Sequence, residues 1–571
     1  MAAEPSDFVT LVRQLLNHGD IDRVLTVFSD EKNKTEIVDV SWELLPILTQ
    51  YLTSDYGKNS EKLFKGCEEL LQVVADTANP EETVLQFIEE LEESTDDIQF
   101  LTLLKSIPKV LCRISQKRTN SVGWCYNSIH SYLQQCEVPE CCGLVGREKL
   151  LLDSNEKVQR ILFLYSEILQ IYDEFFERIT PSTTEESNEH DYITKKFLVD
   201  LLGMPLVYLD VEIFNNVKSK ARLIAENIVG KIFNIIYDPM TLTVRKCVDT
   251  IDDPVDANVE AVASLFYLIF SEEVYLQQVP KVYDPDFFFY NTLHLSVALL
   301  EFDHQIVVEK GIKFSISLLQ HIEHRETPYT LLDSQYPKRF LLALSNIIVY
   351  NKLDILRIAA LDIYKKFITS FDPKGKYLVI YNLVDHLNHS GLKGFTITLY
   401  KEELAVQLRL NNNMSCYFQN KYLFSILSKV CYLHKKEESD LVEISDQIIA
   451  ALNLLRYLLL ADKENTSLYM CYIDDIKLMF LDPLRKGIDL SRAHYQLKVK
   501  EIQEDMVTSD KSKPSSDINI VVGGKNLGLM PKTEKLDVLN MSMTVFDVMD
   551  SLLSRVEEII ENKRRDKITN C

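Results

Sequence analysis

Several side chains in this sequence stand at spacings that could do chemistry. His321 and His324 lie three residues apart, and so do His386 and His389. On a helix that spacing puts both imidazoles on one face, which is how a two-histidine metal site begins. Between His386 and His389 lie only Leu387 and Asn388, with no carboxylate where a zinc hydrolase carries its general base. Both pairs therefore read as solvated helix-end histidines. Gly523-Gly524-Lys525-Asn526-Leu527-Gly528 has the glycines and lysine of a phosphate loop. It lacks the Walker spacing and the hydroxyl after the lysine, so it reads as a loop. The eleven cysteines include adjacent Cys141-Cys142, with Cys136 nearby, but no C-x-x-C pair. Free thiols in structural roles fit this better than a zinc site. Glu89-Glu90, Glu92-Glu93 and Asp96-Asp97 read as a solvated helix end and not as an acid–base dyad. There is no Gly-x-Ser-x-Gly elbow and no set of kinase motifs. The expectation is a chain with no catalytic residues, no metal ligands and no cofactor, and so not an enzyme.

The elements that would position any site are helices. Only 16 Gly and 17 Pro punctuate 571 residues. Apolar residues recur at helical period over Phe8 to Phe28, Val158 to Ile179, Val259 to Phe270, Phe340 to Tyr350, Ile355 to Phe371, Tyr377 to Leu387 and Ile444 to Leu460. Ile518 to Val522 is the one β-like run. Leu356-Arg357-Ile358-Ala359-Ala360-Leu361-Asp362-Ile363, preceded by Asp354, has the order of a HEAT or armadillo second helix. A small residue such as Ala360 lets neighbouring helices approach, while Arg357 and Asp354 could bond between adjacent repeats. The expected fold is all-α, a HEAT/armadillo-like α-solenoid of stacked helix pairs.

Breaks are expected at Pro181 to Asp191, Asp249 to Asp256, Lys435 to Asp440 and Met506 to Lys532. They divide the chain into an N-terminal helical-repeat domain, 1–250, and a C-terminal one, 251–571. The latter holds a flexible loop at 506–532 and a terminal amphipathic helix at 533–562. That helix carries one apolar stripe through Leu536, Leu539, Met543, Phe546, Met549, Leu553, Val556 and Ile560. It reads either as a cap on the solenoid or as a direct partner contact.

The formal net charge is −23. Such a chain repels phosphate backbones and anionic bilayers, so neither nucleic acid nor membrane is an expected partner. The N-terminal residues lack the basic and apolar regions of a secretory signal, and the apolar run Ile448 to Leu460 is interrupted by Asn453 and Arg456. A soluble, cytoplasmic protein is expected. Two clusters are candidates for partner binding. Asn453, Arg456 and Tyr457 share one face of an otherwise apolar helix, where a buried Arg456 would need an internal carboxylate unless the face meets a partner. Arg485, Lys486, Arg492, His494 and Tyr495 form a basic, aromatic cluster near a helix start expected at Ser491. It is either a docking patch or a solvated helix end.

Several stretches resemble the glomulin family. These are Asp446-Gln447-Ile448-Ile449-Ala450-Ala451-Leu452-Asn453-Leu454-Leu455-Arg456-Tyr457, then Pro483-Leu484-Arg485-Lys486-Gly487-Ile488, Ser491-Arg492-Ala493-His494-Tyr495 and Ser554-Arg555-Val556-Glu557-Glu558-Ile559-Ile560-Glu561. Gly375-Lys376-Tyr377 and Asn388-His389-Ser390-Gly391 add to them. The resemblance covers residues 255 to 565 and is looser before that. It implies a HEAT-like protein that binds the RING subunit of cullin-RING ubiquitin ligases, covers the surface where the ubiquitin-conjugating enzyme docks, and so inhibits ubiquitylation. It also implies a link to immunophilins and to vascular development, and it places RING binding in the C-terminal domain. A different expectation from charge alone is a general scaffold that binds basic peptides.

Overall fold

The computed structural model describes residues 7–114, 118–140, 143–174, 184–215, 217–243, 257–410, 413–462, 465, 467–508, 521–522, 525–526 and 531–569. The Cys141-Cys142 pair, the boundary at residue 250 and most of the 506–532 loop lie outside them. The chain forms two compact units, Met1–Leu318 and Leu319–Cys571. In the first are α1 (Asp7–Asn17), α2 (Ile21–Ser29), α3 (Lys34–Asp39), α4 (Ser41–Thr49), α5 (Ser54–Asn59), α6 (Glu61–Thr77), α7 (Pro80–Glu93), α8 (Asp97–Arg113), α9 (Arg118–Gln134), α10 (Glu156–Glu174), α11 (Thr184–Asp200), α12 (Lys220–Ile235), α13 (Val259–Phe270), α14 (Pro285–Leu300) and most of α15 (Gln305–His321). The second holds α16 (Tyr336–Tyr350), α17 (Asp354–Thr369), α18 (Pro373–His386), α19 (Ser390–Arg409), α20 (Asn420–Val430), α21 (Ser445–Ala461), α22 (Ile473–Ile476), α23 (Asp482–Thr508) and α24 (Lys532–Thr569). Strands among the described residues are two antiparallel two-residue pairs, Ile213–Phe214 with Val217–Lys218 and Val521–Val522 with Lys525–Asn526. The second pair contains the end of the β-like run. The fold is thus all-α, built of stacked helix pairs.

Local chemistry sets the helix starts. Asn79-Pro80, Asp284-Pro285 and Asp372-Pro373 each put a side-chain acceptor at the N-cap and proline at the first helical position. Asp96 accepts from the amides of Ile98 and Gln99 to start α8, so the Asp96-Asp97 pair is a helix start and not a dyad. The run expected from Phe8 to Phe28 is two helices. Gly19, at φ +73°, turns the chain while its amide donates to the Leu16 carbonyl at 2.9 Å. α11 starts at Thr184, inside the break expected over Pro181 to Asp191. Within each unit helices pack neighbour on neighbour, α7 on α8 and α9, α13 on α14, and α16 on α17.

The division falls at Leu318, not near residue 250. α11 packs on both α12 and α13, so helices on either side of residue 250 share one core. Ala360 is fully buried between α17 and its neighbours, as the repeat signature requires. Arg357 and Asp354, however, pair with each other along one helix at 3.0 Å, and Arg357 reaches the Ile348 carbonyl of α16. They bond within the helix pair and not between repeats, because residues three apart face each other first.

Unit 1 contains a feature absent from the sequence reading, a buried charge network. Lys149 pairs with Glu309 and lies 3.4 Å from Glu212. Lys313 joins Glu212 at 2.8 Å to Glu272 at 3.4 Å. Glu272 meets Arg222 at 2.7 Å, and Arg222 meets Glu226 at 2.8 Å. Lys310 sits inside, 4 % exposed, and donates to the Val207 carbonyl at 2.6 Å without an ion pair to any described carboxylate. Burial pushes its ammonium down from 10.5 to about 7, although Asp210 and Glu272 oppose this. The folded state therefore binds fewer protons than the unfolded chain between about 7 and 10.5. Stability should rise with pH across that window, and the penalty should be constant and complete below it. Lys310→Met should flatten the rise. Melting temperatures of wild type and variant, compared between about pH 7 and about pH 9, check this. Parallel curves would remove Lys310 as the cause.

Candidate partner-binding site on the C-terminal helices

The last helices of unit 2 are held together by close backbone approach and by charge. α21 packs between α19 and α24. Its apolar residues Ile448, Ala451, Leu452, Leu454, Leu455, Leu458 and Leu459 are buried, so the helix is central as its composition requires. Its first turn lies against Gly394 of α19, where an added Cβ would come within 2.8 Å of the Asp446 carbonyl oxygen. Only glycine allows that approach. α24 closes the other side. Leu539, Phe546, Met549, Leu553, Val556 and Ile560 of the expected stripe are buried, with Leu536 and Met543 half-buried at its start.

α23 faces α24 through Arg485, Arg492 and Tyr495. Arg485 binds Asp550, donates to Glu557 at 2.5 Å and to the Ser554 hydroxyl at 3.0 Å. Arg492 donates to Asp547 at 2.9 Å and to Asp550 at 3.2 Å. Tyr495 is buried edge-on against Phe546, ring centroids 5.2 Å apart. Partial burial alone would lower the Arg485 pKa, but the Glu557 hydrogen bond and the charges of Glu557 and Asp550 raise it. Further along α24, Lys563 donates to the Tyr469 hydroxyl at 2.7 Å and Arg564 pairs with Asp474.

The expected basic cluster is therefore split by the helix that carries it. Ser491 lies in the middle of α23 and not at a helix start, because helical pattern continues unbroken from Asp482. Arg485, Arg492 and Tyr495 point inward and fasten α24, so they are neither a solvated helix end nor a free patch. Lys486 and His494 are exposed on the other side. Between and beyond them stand Leu490 and Leu497, 57 % and 60 % exposed. At 100° per residue, positions 486, 490, 494 and 497 fall within about 80° of one another on the helix circumference. They form one outward stripe of two large apolar and two basic or titratable side chains. Sequence reasoning missed Leu490 and Leu497, although the same angular bookkeeping over 482–508 points to them. On α24, Met541 and Val548, seven residues apart, are likewise exposed.

Asn453, Arg456 and Tyr457 are half-buried on α21. Arg456 makes no ion pair with a described carboxylate. Of the two alternatives for Arg456, the internal carboxylate does not appear among the described residues, and the side chain is half-buried and not fully enclosed. The histidine pairs are helix ends. His386 lies in the last turn of α18, 2.8 Å from the Asn382 carbonyl, and His389 accepts from the Leu392 amide at the start of α19. No group of three metal-binding side chains occurs among the described residues, and no described helix is long and apolar enough to cross a membrane.

Fold and site together define an all-α helical-repeat protein whose C-terminal helices present an exposed apolar stripe. The chain matches the family described as "Uncharacterised protein family, YAP/Alf4/glomulin" over residues 2–155 and 183–542, and it belongs to that family. Glomulin of Homo sapiens is 27 % identical over 574 residues, covering 97 % of this chain and 93 % of the relative. Glomulin of Mus musculus is 27 % identical over 571 residues with the same coverage. A solved circular tandem repeat protein covers 94 % of this chain and 98 % of its own at 10 % identity, with a TM-score of 0.20, too low to bear on fold or function.

Proposed function

We propose that this chain is a non-catalytic, cytoplasmic inhibitor that masks the RING subunit of cullin-RING ubiquitin ligases and blocks docking of the ubiquitin-conjugating enzyme. The family resemblance supplies the partner. The observation that carries the reading is the outward stripe Lys486, Leu490, His494 and Leu497 on a helix whose opposite face is pinned to α24. Large exposed apolar side chains on a rigid element are what a binding surface needs, because little ordering entropy is lost on contact. A standard interface buries roughly 1,600 Å² in total. Outcompeting a weakly held conjugating enzyme a thousandfold takes about 4 kcal/mol, which a few packed anchors supply.

A reconstituted cullin-RING ubiquitylation assay tests it. The full chain should slow chain formation, and excess conjugating enzyme should relieve the inhibition. Leu490→Asp with Leu497→Asp should weaken inhibition at least about tenfold while leaving the melting temperature near wild type. Inhibition that survives the double variant, or that excess conjugating enzyme cannot relieve, overturns the reading.

A further inference from the structure

A second surface of unit 2 has chemistry opposite to the acidic bulk of the chain. α18 supplies Lys374, Tyr377 and Tyr381, and α20 supplies Lys421, Tyr422 and Lys429. Tyr417, just before α20, and Tyr329, ahead of α16, complete it. Tyr377 is buried at the centre, with ring centroids 5.7 Å from Tyr381, 5.7 Å from Tyr417 and 5.5 Å from Tyr422. Tyr417 and Tyr422 are 4.9 Å apart. Tyr329, Tyr381, Tyr417 and Tyr422 are each half-exposed around that centre. Three ammonium groups lie over these rings: Lys374 at 3.5 Å from Tyr329, Lys429 at 3.7 Å from Tyr381 and Lys421 at 5.1 Å from Tyr422. Lys429 is neutralised by Asp385 at 2.8 Å. Lys374 and Lys421 form no ion pair with any described carboxylate.

We propose that this tyrosine–lysine surface docks an acidic segment of a partner protein, one that places carboxylates on Lys374 and Lys421 and apolar side chains on the tyrosine faces. The inference is independent of the RING reading. The chain as a whole carries a net charge of −23, so a cationic, aromatic surface on it contrasts with the bulk. Lys374 and Lys421, placed over tyrosine rings and bound to no described carboxylate, are donors set for anionic groups. Tyrosine offers large contact area at small entropic cost and a hydroxyl for the carboxylate edge, which is why it recurs as an interface anchor. A nucleic acid brings one charge per about 1.7 Å of duplex and would meet the repulsion of the whole acidic chain. A short acidic segment brings charge only where the lysines stand, so a protein partner is favoured.

Fluorescence anisotropy on the full-length chain tests this with a fluorescein-labelled peptide of repeated Glu-Glu-Phe. Its Lys-Lys-Phe counterpart and a single-stranded oligonucleotide serve as competitors for the same surface. The acidic peptide should bind, and added salt should weaken it. Lys374→Glu with Lys421→Glu should lower affinity by about tenfold or more. Lys32→Glu with Lys58→Glu, which changes net charge equally on unit 1, should leave affinity unchanged. If the reversed pair does not fold, Lys374→Gln with Lys421→Gln should still weaken binding severalfold. No binding of the acidic peptide, an affinity indifferent to the lysine variants, or tighter binding of the basic peptide or the oligonucleotide overturns the proposal.

Discussion

Replacing Glu272 by alanine should destabilise unit 1 by about 3–5 kcal/mol, the usual cost of stripping one partner from a buried ion pair. Glu272 is the hub of the buried network. One oxygen accepts from Arg222 at 2.7 Å, the other from the Tyr267 hydroxyl at 2.7 Å, and its carbonyl accepts from Arg222 at 3.1 Å. The Arg222 side chain is 3 % exposed, so water cannot replace the lost carboxylate. Tyr267, also buried, would keep an unsatisfied hydroxyl. The measurement is clean because both tryptophans, Trp42 and Trp124, lie in unit 1. Denaturant unfolding followed by tryptophan fluorescence therefore reads that unit alone. Glu272→Gln, which keeps the shape and an acceptor, should cost less than alanine. Arg222→Met combined with Glu272→Met should recover much of the loss, because removing both charges removes the desolvation penalty with them. A double variant as unstable as the sum of the singles would mean that packing, and not the charge pair, carries the effect.

How much of this was legible in the sequence depended on range. Helical period and caps are local, so α13 was readable to the residue and the stripe of α24 was identified before its partners were known. Turns made by a single residue were harder. Gly19 splits one expected helix in two because its positive φ is a conformational fact that apolar spacing does not encode. The division of the chain at Leu318 depends on which helices share a core, and Asp252-Asp253-Pro254 marks a local break whatever packs around it. Long-range charge pairing was the least legible. The partners of Arg485 and Arg492 stand 55 to 72 residues away on α24. From sequence alone the two arginines looked like a basic patch in an acidic chain. The network around Lys310 draws on residues 149 to 313 and has no local signature. Family resemblance marked the stretches around Arg485 and Arg492 but could not say which side chains face inward.

Arg485 and Lys486 are adjacent in sequence, and reversing each charge should have opposite consequences. Arg485→Glu would place a third carboxylate among Asp550 and Glu557. Since the three side chains are about one-third exposed, solvent softens the repulsion, and the expected loss is about 2–3 kcal/mol and not the full cost of a buried pair. That loss should appear first as release of α24, because Arg485 and Arg492 share Asp550 and loosening one weakens the other. Amide exchange should speed up along α24, the stripe from Leu539 to Ile560 should lose its cover, and, under the proposed function, inhibition of ubiquitylation should fall with it. Restoring opposite charges with Glu557→Arg should return protection to α24, a rescue that simple loss of a partner contact at residue 485 would not show. Lys486→Glu should do none of this to the fold. Lys486 is exposed, and its reversal should leave exchange in α24 unchanged while weakening partner binding severalfold in a salt-dependent way. Unchanged exchange in Arg485→Glu would mean that apolar burial alone seats α24. Accelerated exchange in Lys486→Glu would mean that the outward face of α23 is part of the fold and not free for a partner.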